Sequence, residues 1–306
     1  MAITWDAPLA AAVARELNDR LTGARLRGHN FDWDRRRLDL HFRSGTLRWW
    51  LHPEEGWFQL VPPVEKEAGI RSLAAELLSV EAPPDERMIR FLFRKIRGRT
   101  RRVEVVVELM TNQWNALLLE GSEGWIRHLL WTRHPEGRDL AVGQAYQPPR
   151  GSSRAGAVDP LSADELDALV RPHGRNADPG AILERVAFAS PLNLPSLLGQ
   201  PSRDPETPAP RRPNHSLWIQ LREPAPPRPC ILQTRKGEQP YPIRLPGFNY
   251  TEFPSLLDAF QHLAEGSRDH ASVDETLQRV DDALRRARGR VGGLERELEQ
   301  DRKSVV

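Results

Sequence analysis

Arg87-Met88-Ile89-Arg90-Phe91-Leu92-Phe93 and Val103-Glu104-Val105-Val106-Val107-Glu108-Leu109-Met110 are two runs of strand length, rich in β-branched and aromatic residues. Between them stands Arg94-Lys95-Ile96-Arg97-Gly98-Arg99-Thr100-Arg101-Arg102, a turn in which six of nine residues are cationic. From Asp85 to Arg102 eight cations stand against two anions, a local net charge of +6. Clustered guanidinium groups fork onto phosphate oxygens and release counterions. Arg94, Lys95, Arg97, Arg99, Arg101 and Arg102 are therefore candidate RNA phosphate contacts. A solvated hairpin loop in an Arg-rich chain explains the same charges equally well.

Outward from this hairpin the β signals continue. Asn115 to Glu120 and Trp125 to Trp131 read as a second hairpin over Gly121-Ser122-Glu123-Gly124. Upstream, Ile70 to Leu78 reads as a short helix closed by Pro83-Pro84. Leu38, Leu40 and Phe42 alternate with Arg37, Asp39 and His41, and Thr46 to Leu51 resumes as strand after Ser44-Gly45. Leu9, Val13, Leu17 and Leu21 make one face of an opening helix stopped by Gly23. A β-rich domain over 1–150 thus ends near Pro148-Pro149-Arg150-Gly151. Residues 158–200 carry short helical signals at Asp164 to Val170, Pro179 to Ala189 and Pro191 to Leu198. A Pro-rich linker and a β-leaning connector fill 201–265, with strands expected over His215 to Phe253 and a helix over Ser255 to Ala264.

Val273, Leu277, Val280, Leu284, Ala287, Val291, Leu294 and Leu298 alternate spacings of four and three, the seam of a coiled-coil arm over 270–300. Gly289, Gly292 and Gly293 weaken it. Asp301-Arg302-Lys303-Ser304-Val305-Val306 reads as a translated sequencing-adapter scar, which would make this a truncated reading frame.

The 306 residues hold 44 Lys+Arg against 42 Asp+Glu, so any nucleic-acid surface has to arise by local clustering. The single Cys230 excludes an internal disulfide and a cysteine-based zinc site, and suits a reducing compartment. No apolar run reaches membrane-spanning length and Met1 to Asp6 has no signal-peptide character, so the expectation is cytoplasmic with no membrane partner. Phosphate-loop, dinucleotide, serine-hydrolase and zinc-protease motifs are missing, and the nine histidines show no ligand spacing. The expectation is no catalytic residue, no metal and no cofactor. Of the nine tryptophans, most are expected in the core, with Trp114 the best candidate for an exposed indole that stacks on a base.

Glu108-Leu109-Met110 followed by Asn115-Ala116-Leu117-Leu118-Leu119 resembles the signature of the NFACT family, the ribosome-quality-control factors also filed as fibronectin-binding protein A-like. Gly143-Gln144-Ala145-Tyr146-Gln147-Pro148-Pro149 resembles that family's closing motif, and Phe188-Ala189-Ser190-Pro191 its helix-hairpin-helix module. Leu21-Thr22-Gly23-Ala24-Arg25-Leu26 and His52-Pro53 are similar to its start and its His-Pro. The order agrees over essentially the whole chain. The resemblance implies an α+β fold: a β-rich NFACT N-terminal domain, similar to that of formamidopyrimidine-DNA glycosylase, then a helix-hairpin-helix module and the start of a coiled coil.

It further implies binding to the large ribosomal subunit and its rRNA, with a stalled nascent chain complex, and recruitment of tRNA, alanyl-tRNA in bacteria, for untemplated C-terminal tailing. The family's Asp-Arg pair falls at Glu86-Arg87, with Asp85 adjacent, and its early Asp at Asp6. These four are the implied tRNA-binding residues, and Glu108, Asn115 and Tyr146 the motif residues. Thr111-Asn112-Gln113-Trp114 and Trp57 depart from the family pattern. Two alternatives follow: a divergent ribosome binder without tailing activity, and a surface adhesin that binds fibronectin. Glycosylase chemistry is excluded, because Ala2 and Ile3 stand where the nucleophilic Pro and its Glu are needed and one cysteine cannot build the zinc finger.

Overall fold

Helix α1 (Ala7–Leu21) begins where Asp6, in an extended conformation, accepts the Leu9 N–H at 3.0 Å. Leu9, Val13, Leu17 and Leu21 are buried along one face, each contributing about 1.5–3 kcal/mol of apolar burial. The chain leaves the helix through Gly23 at φ +81°, a left-handed position that glycine adopts without strain. This is a computed structural model, and it describes residues 2–63, 69–98, 101–110, 114–134, 138–171, 179–198, 213–224 and 227–266. Arg99, Thr111-Asn112-Gln113, the Pro-rich 201–212, the heptads of 270–300 and the 301–306 tail lie outside the described residues.

Met1–Gln261 form one compact unit and His262–Val306 a second. The first is built on a nine-stranded antiparallel sheet of order β4-β3-β2-β1-β5-β6-β7-β8-β9. Its strands are β1 (Arg25–Asp32), β2 (Arg37–Phe42), β3 (Thr46–Trp50), β4 (Phe58–Val61), β5 (Arg71–Glu81), β6 (Met88–Lys95), β7 (Arg102–Glu108), β8 (Asn115–Glu120) and β9 (Trp125–Leu129). Helix α1 packs over β5 and β6. Then come α2 (Ala163–Val170), α3 (Pro179–Arg185), α4 (Leu194–Leu197) and α5 (His215–Arg222). A second sheet of order β11-β10-β12 follows, from β10 (Cys230–Thr234), β11 (Gly237–Tyr241) and β12 (Tyr250–Glu252). Residues 256–266 are helical. The architecture is α+β with mainly antiparallel strands.

Three expectations need correction. Ile70 to Leu78 is not a helix: β5 lies between β1 and β6 and hydrogen-bonds to both, burying Leu73, Ala75 and Leu77 on alternate positions. Two ladders outweigh the helical preference of Leu, Ala and Glu. The connector over His215 to Phe253 opens with α5, capped by the Asn214 side chain on the Leu217 N–H at 3.0 Å. Trp114 is buried, and the exposed indoles are Trp33 and Trp125.

The alternation in β2 suggests a wet face, yet Arg37, Asp39 and His41 are buried too. The sheet rolls so that His29 of β1 meets His128 of β9, ring centroids 5.2 Å apart, and Arg36 lies over Trp131. Enclosed by this curl, Asp39 pairs with Arg37 and Arg48, each at 2.9 Å. Among the described residues, no hydrogen-bond partner meets either ring nitrogen of the buried His29. Burial, reinforced by His128, Arg71 and His41, lowers its pKa to about 4. The unfolded chain takes up this proton near pH 6.5 and the folded chain only near 4. Stability is therefore full above 6.5 and is lost as pH falls from there toward 4, by up to about 3 kcal/mol. Urea midpoints measured from pH 7 to 4 should fall steeply for the natural chain and by clearly less for His29→Phe.

Candidate functional site

Four separate segments meet around a cleft of about 610 Å³: the α1 cap at Thr4 to Ala7, the β5–β6 connection at Asp85 to Arg87, residues 151–154, and Ala189 to Pro191 before α4. Asp6, Asp85, Glu86 and Arg87, the four implied tRNA-binding residues, all line it. Asp85 sits at φ +59°, a left-handed position that Asp tolerates better than most residues. Its fully buried carboxylate accepts Nε of Arg154 at 2.7 Å, a second guanidinium N–H of the same residue, the Phe188 N–H at 2.7 Å and the Ser152 hydroxyl. Arg154 also donates to the carbonyls of Leu183 (3.1 Å) and Ala189 (3.0 Å). One bidentate pair thus ties the β5–β6 connection to the 151–154 segment and to the chain between α3 and α4.

Asp6 forms a second knot. Besides capping α1 it accepts the Ser190 hydroxyl at 2.7 Å and the Tyr241 hydroxyl at 2.9 Å. Tyr241 in turn accepts from Asn193 at 3.1 Å. Burial raises the Asp6 carboxyl above the usual carboxylate range, opposed by the Ser190, Leu9 and Tyr241 hydrogen bonds and by the charge of Arg87.

Glu86 and Arg87 remain half-buried in the cleft. Burial raises Glu86, helped by Asp85 and opposed by a hydrogen bond from the Ser152 backbone. Burial and the neighbouring Arg154 lower Arg87, while Asp6, Glu86 and Asp85 hold it up. Three carboxylates and two guanidiniums share this space. Such a mixed surface is a poor trap for a bare phosphate. Its half-buried charged pair, Glu86 and Arg87, sets an acceptor beside donors.

The motif residues lie beneath this cleft. Register pairs Met88 with Glu108, and the Leu109 N–H donates to the Arg87 carbonyl at 2.8 Å. Glu108 accepts from the Tyr146 hydroxyl at 2.8 Å and from Arg138 at 2.7 Å. Burial and this carboxylate push the Tyr146 phenol well above its ordinary range. Asn115 donates to the Trp131 carbonyl at 3.0 Å and accepts the Trp131 N–H at 3.2 Å, pinning the chain after β9. These contacts hold the frame.

The cationic hairpin tip is elsewhere. Arg94 pairs with Arg102 across the register, six residues from Met88, hence roughly 20 Å along the strands. Arg94 meets Glu76 at 2.8 Å, Lys95 meets Glu120, and Arg102 is 3.5 Å from Glu104, which also holds Arg90. Arg97 and Arg101 are exposed, with no carboxylate pairing with them among the described residues. Three carboxylates, Glu76, Glu104 and Glu120, thus answer about half of the +6 charge of the sequence. Also among the described residues, no group of three His, Cys, Asp or Glu could hold a metal, and no helix is long and apolar enough to cross a membrane. Cys230 is buried and its thiol is pushed up to about 12 by that burial.

Arg154 and Ser190 also line the cleft, and Tyr241, buried behind it, holds Asp6; none of the three was among the expected site residues. Arg154 stands 69 residues from Asp85, and Tyr241 235 residues from Asp6. The only nearby sequence signal is Ser190-Pro191, within the stretch that resembles the helix-hairpin-helix motif.

No protein-family model matches the chain, and no curated protein does. Solved structures do. The fibrinogen-binding protein from Staphylococcus aureus is similar with a TM-score of 0.63 at 19% identity, over 83% of this chain and 96% of that one. The N-terminal part of the fibronectin/fibrinogen-binding protein from Streptococcus suis is similar with a TM-score of 0.62 at 17% identity, over 86% of this chain and all of that one. At these identities the likeness is one of fold.

Proposed function

We propose that this chain is an NFACT-type RNA-binding factor, without catalytic residues of its own, that binds the large ribosomal subunit and recruits aminoacyl-tRNA for C-terminal tailing of stalled nascent chains. The cleft takes unstacked bases of the tRNA, with Glu86 and Arg87 reading their edges. The observation that carries this reading is the convergence of Asp6, Asp85, Glu86 and Arg87 in one cleft, from positions about 80 residues apart in sequence. Arg97 and Arg101 add backbone contacts at the far end of the hairpin. The helix-hairpin-helix module, the coiled-coil arm and the cytoplasmic location belong to the same reading.

A second reading, adhesion to matrix proteins, is favoured by what its structural neighbours are named for, fibrinogen and fibronectin binding. Capturing the full-length protein from cells and sequencing its RNA separates them. Large-subunit rRNA with enriched tRNA supports the proposal, and rRNA without tRNA supports a ribosome binder that does not tail. Absence of both, with saturable binding to immobilised fibronectin or fibrinogen, supports adhesion. Arg87→Ala is expected to reduce the tRNA yield about tenfold or more, given ~1–3 kcal/mol for a good base contact, with an unchanged melting temperature. An unchanged tRNA yield removes Arg87 from the site.

A further inference from the structure

Beside the cleft, on the other side of Pro191, lies another cavity. This second cavity, of about 280 Å³, shares Thr4 and Pro191 with the cleft and runs to Thr234, Arg235, Lys236 and Phe248. Arg235-Lys236 is the two-residue turn between β10 and β11, closed by the Thr234–Gly237 pair. The Thr234 hydroxyl donates to the Gly237 carbonyl at 2.7 Å and accepts the Lys236 N–H at 3.1 Å, so the turn is internally fixed. Two alternate residues of β11 fasten it to the cleft wall. Gln239 accepts the Thr4 N–H at 2.8 Å and donates to the Thr4 carbonyl at 3.2 Å, and Tyr241 donates to Asp6. Strand β11 therefore holds the turn beside the second cavity, which shares its lining at Thr4 and Pro191 with the cleft of Arg87.

Arg235 and Lys236 are both exposed, and among the described residues no carboxylate pairs with either. The nearest acid in sequence, Glu238, accepts from Gln233 at 3.2 Å. This differs from Arg94, Lys95 and Arg102 of the β6–β7 hairpin, which Glu76, Glu120 and Glu104 answer, and from the inner cleft, where acids outnumber bases. Among the described residues that line the two cavities, the exposed cations are Arg235 and Lys236.

We propose that the Arg235–Lys236 turn is a phosphate clamp, holding the sugar-phosphate chain of the RNA strand whose bases enter the cleft at Arg87. The inference rests on the RNA reading of the cleft and adds to it a division of labour: mixed-charge groups in the cleft read bases, exposed cations at the turn hold the backbone.

The test is the affinity of the full-length protein for labelled tRNA across 50–300 mM salt, for the natural chain, Arg235→Glu/Lys236→Glu, Arg235→Gln/Lys236→Gln and Arg87→Gln. Charge reversal is expected to weaken binding more than tenfold at 100 mM salt. Removing two phosphate contacts should flatten the slope of log affinity against log salt by about 1.4, at ~0.7 per contact on a single strand. The glutamine pair should flatten the slope equally with a smaller loss of affinity. Arg87→Gln should weaken binding with little change in slope. Natural slope and affinity in both turn variants, with Arg87→Gln still weakened, overturn the clamp and leave the cleft reading standing. No tRNA binding by the natural chain overturns both. Displacement of tRNA by low-millimolar inorganic phosphate marks the turn as a free-anion site and likewise overturns the clamp.

Discussion

Arg154→Ala should lower the unfolding free energy by about 3–5 kcal/mol, the usual cost of removing one partner from a buried ion pair. The Asp85 carboxylate is fully enclosed, and without the guanidinium it keeps only the Phe188 N–H and the Ser152 hydroxyl. Arg154 also satisfies the carbonyls of Leu183 and Ala189, so its loss loosens the chain on both sides of the cleft. Urea unfolding reads the effect as a shift in midpoint. The double variant Asp85→Asn/Arg154→Met should recover part of the loss, because no charge is then left buried alone. A single Arg154→Ala within 0.5 kcal/mol, an ordinary surface effect, would mean that this pair does not hold the cleft together.

Asp6→Ala should cost a comparable amount, about 3–5 kcal/mol, by a different route. Loss of the helix cap accounts for about 1 kcal/mol. The Ser190 and Tyr241 hydroxyls are then left buried without their acceptor, at about 1–3 kcal/mol each and not fully additive. Asp6→Asn keeps an oxygen for the Leu9 N–H and should lose clearly less. Amide exchange separates the two contributions. The first turn of α1 should lose protection in Asp6→Ala and retain it in Asp6→Asn. Equal destabilisation by both variants would mean that the cap contributes little, since Asn keeps the oxygen for Leu9 but not the second one that accepts both hydroxyls.

Elements whose hydrogen bonds are local were readable in the sequence. The α1 face at Leu9, Val13, Leu17 and Leu21, and the hairpins of β6–β7 and β8–β9, carry their own periodicity and turns. Strand β5 reads as a helix because Leu73 to Leu78 has the residues of one, and half of its pairing comes from β1, some forty residues earlier in the chain. Strand β4 has only four residues, too few for a pattern. Helix α5 had a usable signal, Asn214 three residues before Leu217, within a stretch otherwise rich in strand formers. At the hairpin tip the run of cations was plain, but the carboxylates that answer it come from β5, β7 and β8. The resemblance picked out Asp6 and Asp85 to Arg87. Of the residues that lock them, Ser190 lies in the stretch that resembles the helix-hairpin-helix motif, while Arg154 and Tyr241 are brought in by folding from 69 and 235 residues away.

The central claim is that RNA occupies the cleft. Ser153 lines it with an exposed side chain, so a photo-crosslinking amino acid at that position, in the full-length protein and in living cells, samples whatever enters. The claim predicts crosslinks to tRNA at unstacked nucleotides, strongly reduced in the Arg87→Ala background. Crosslinks confined to protein, or an RNA signal indifferent to Arg87, would contradict it.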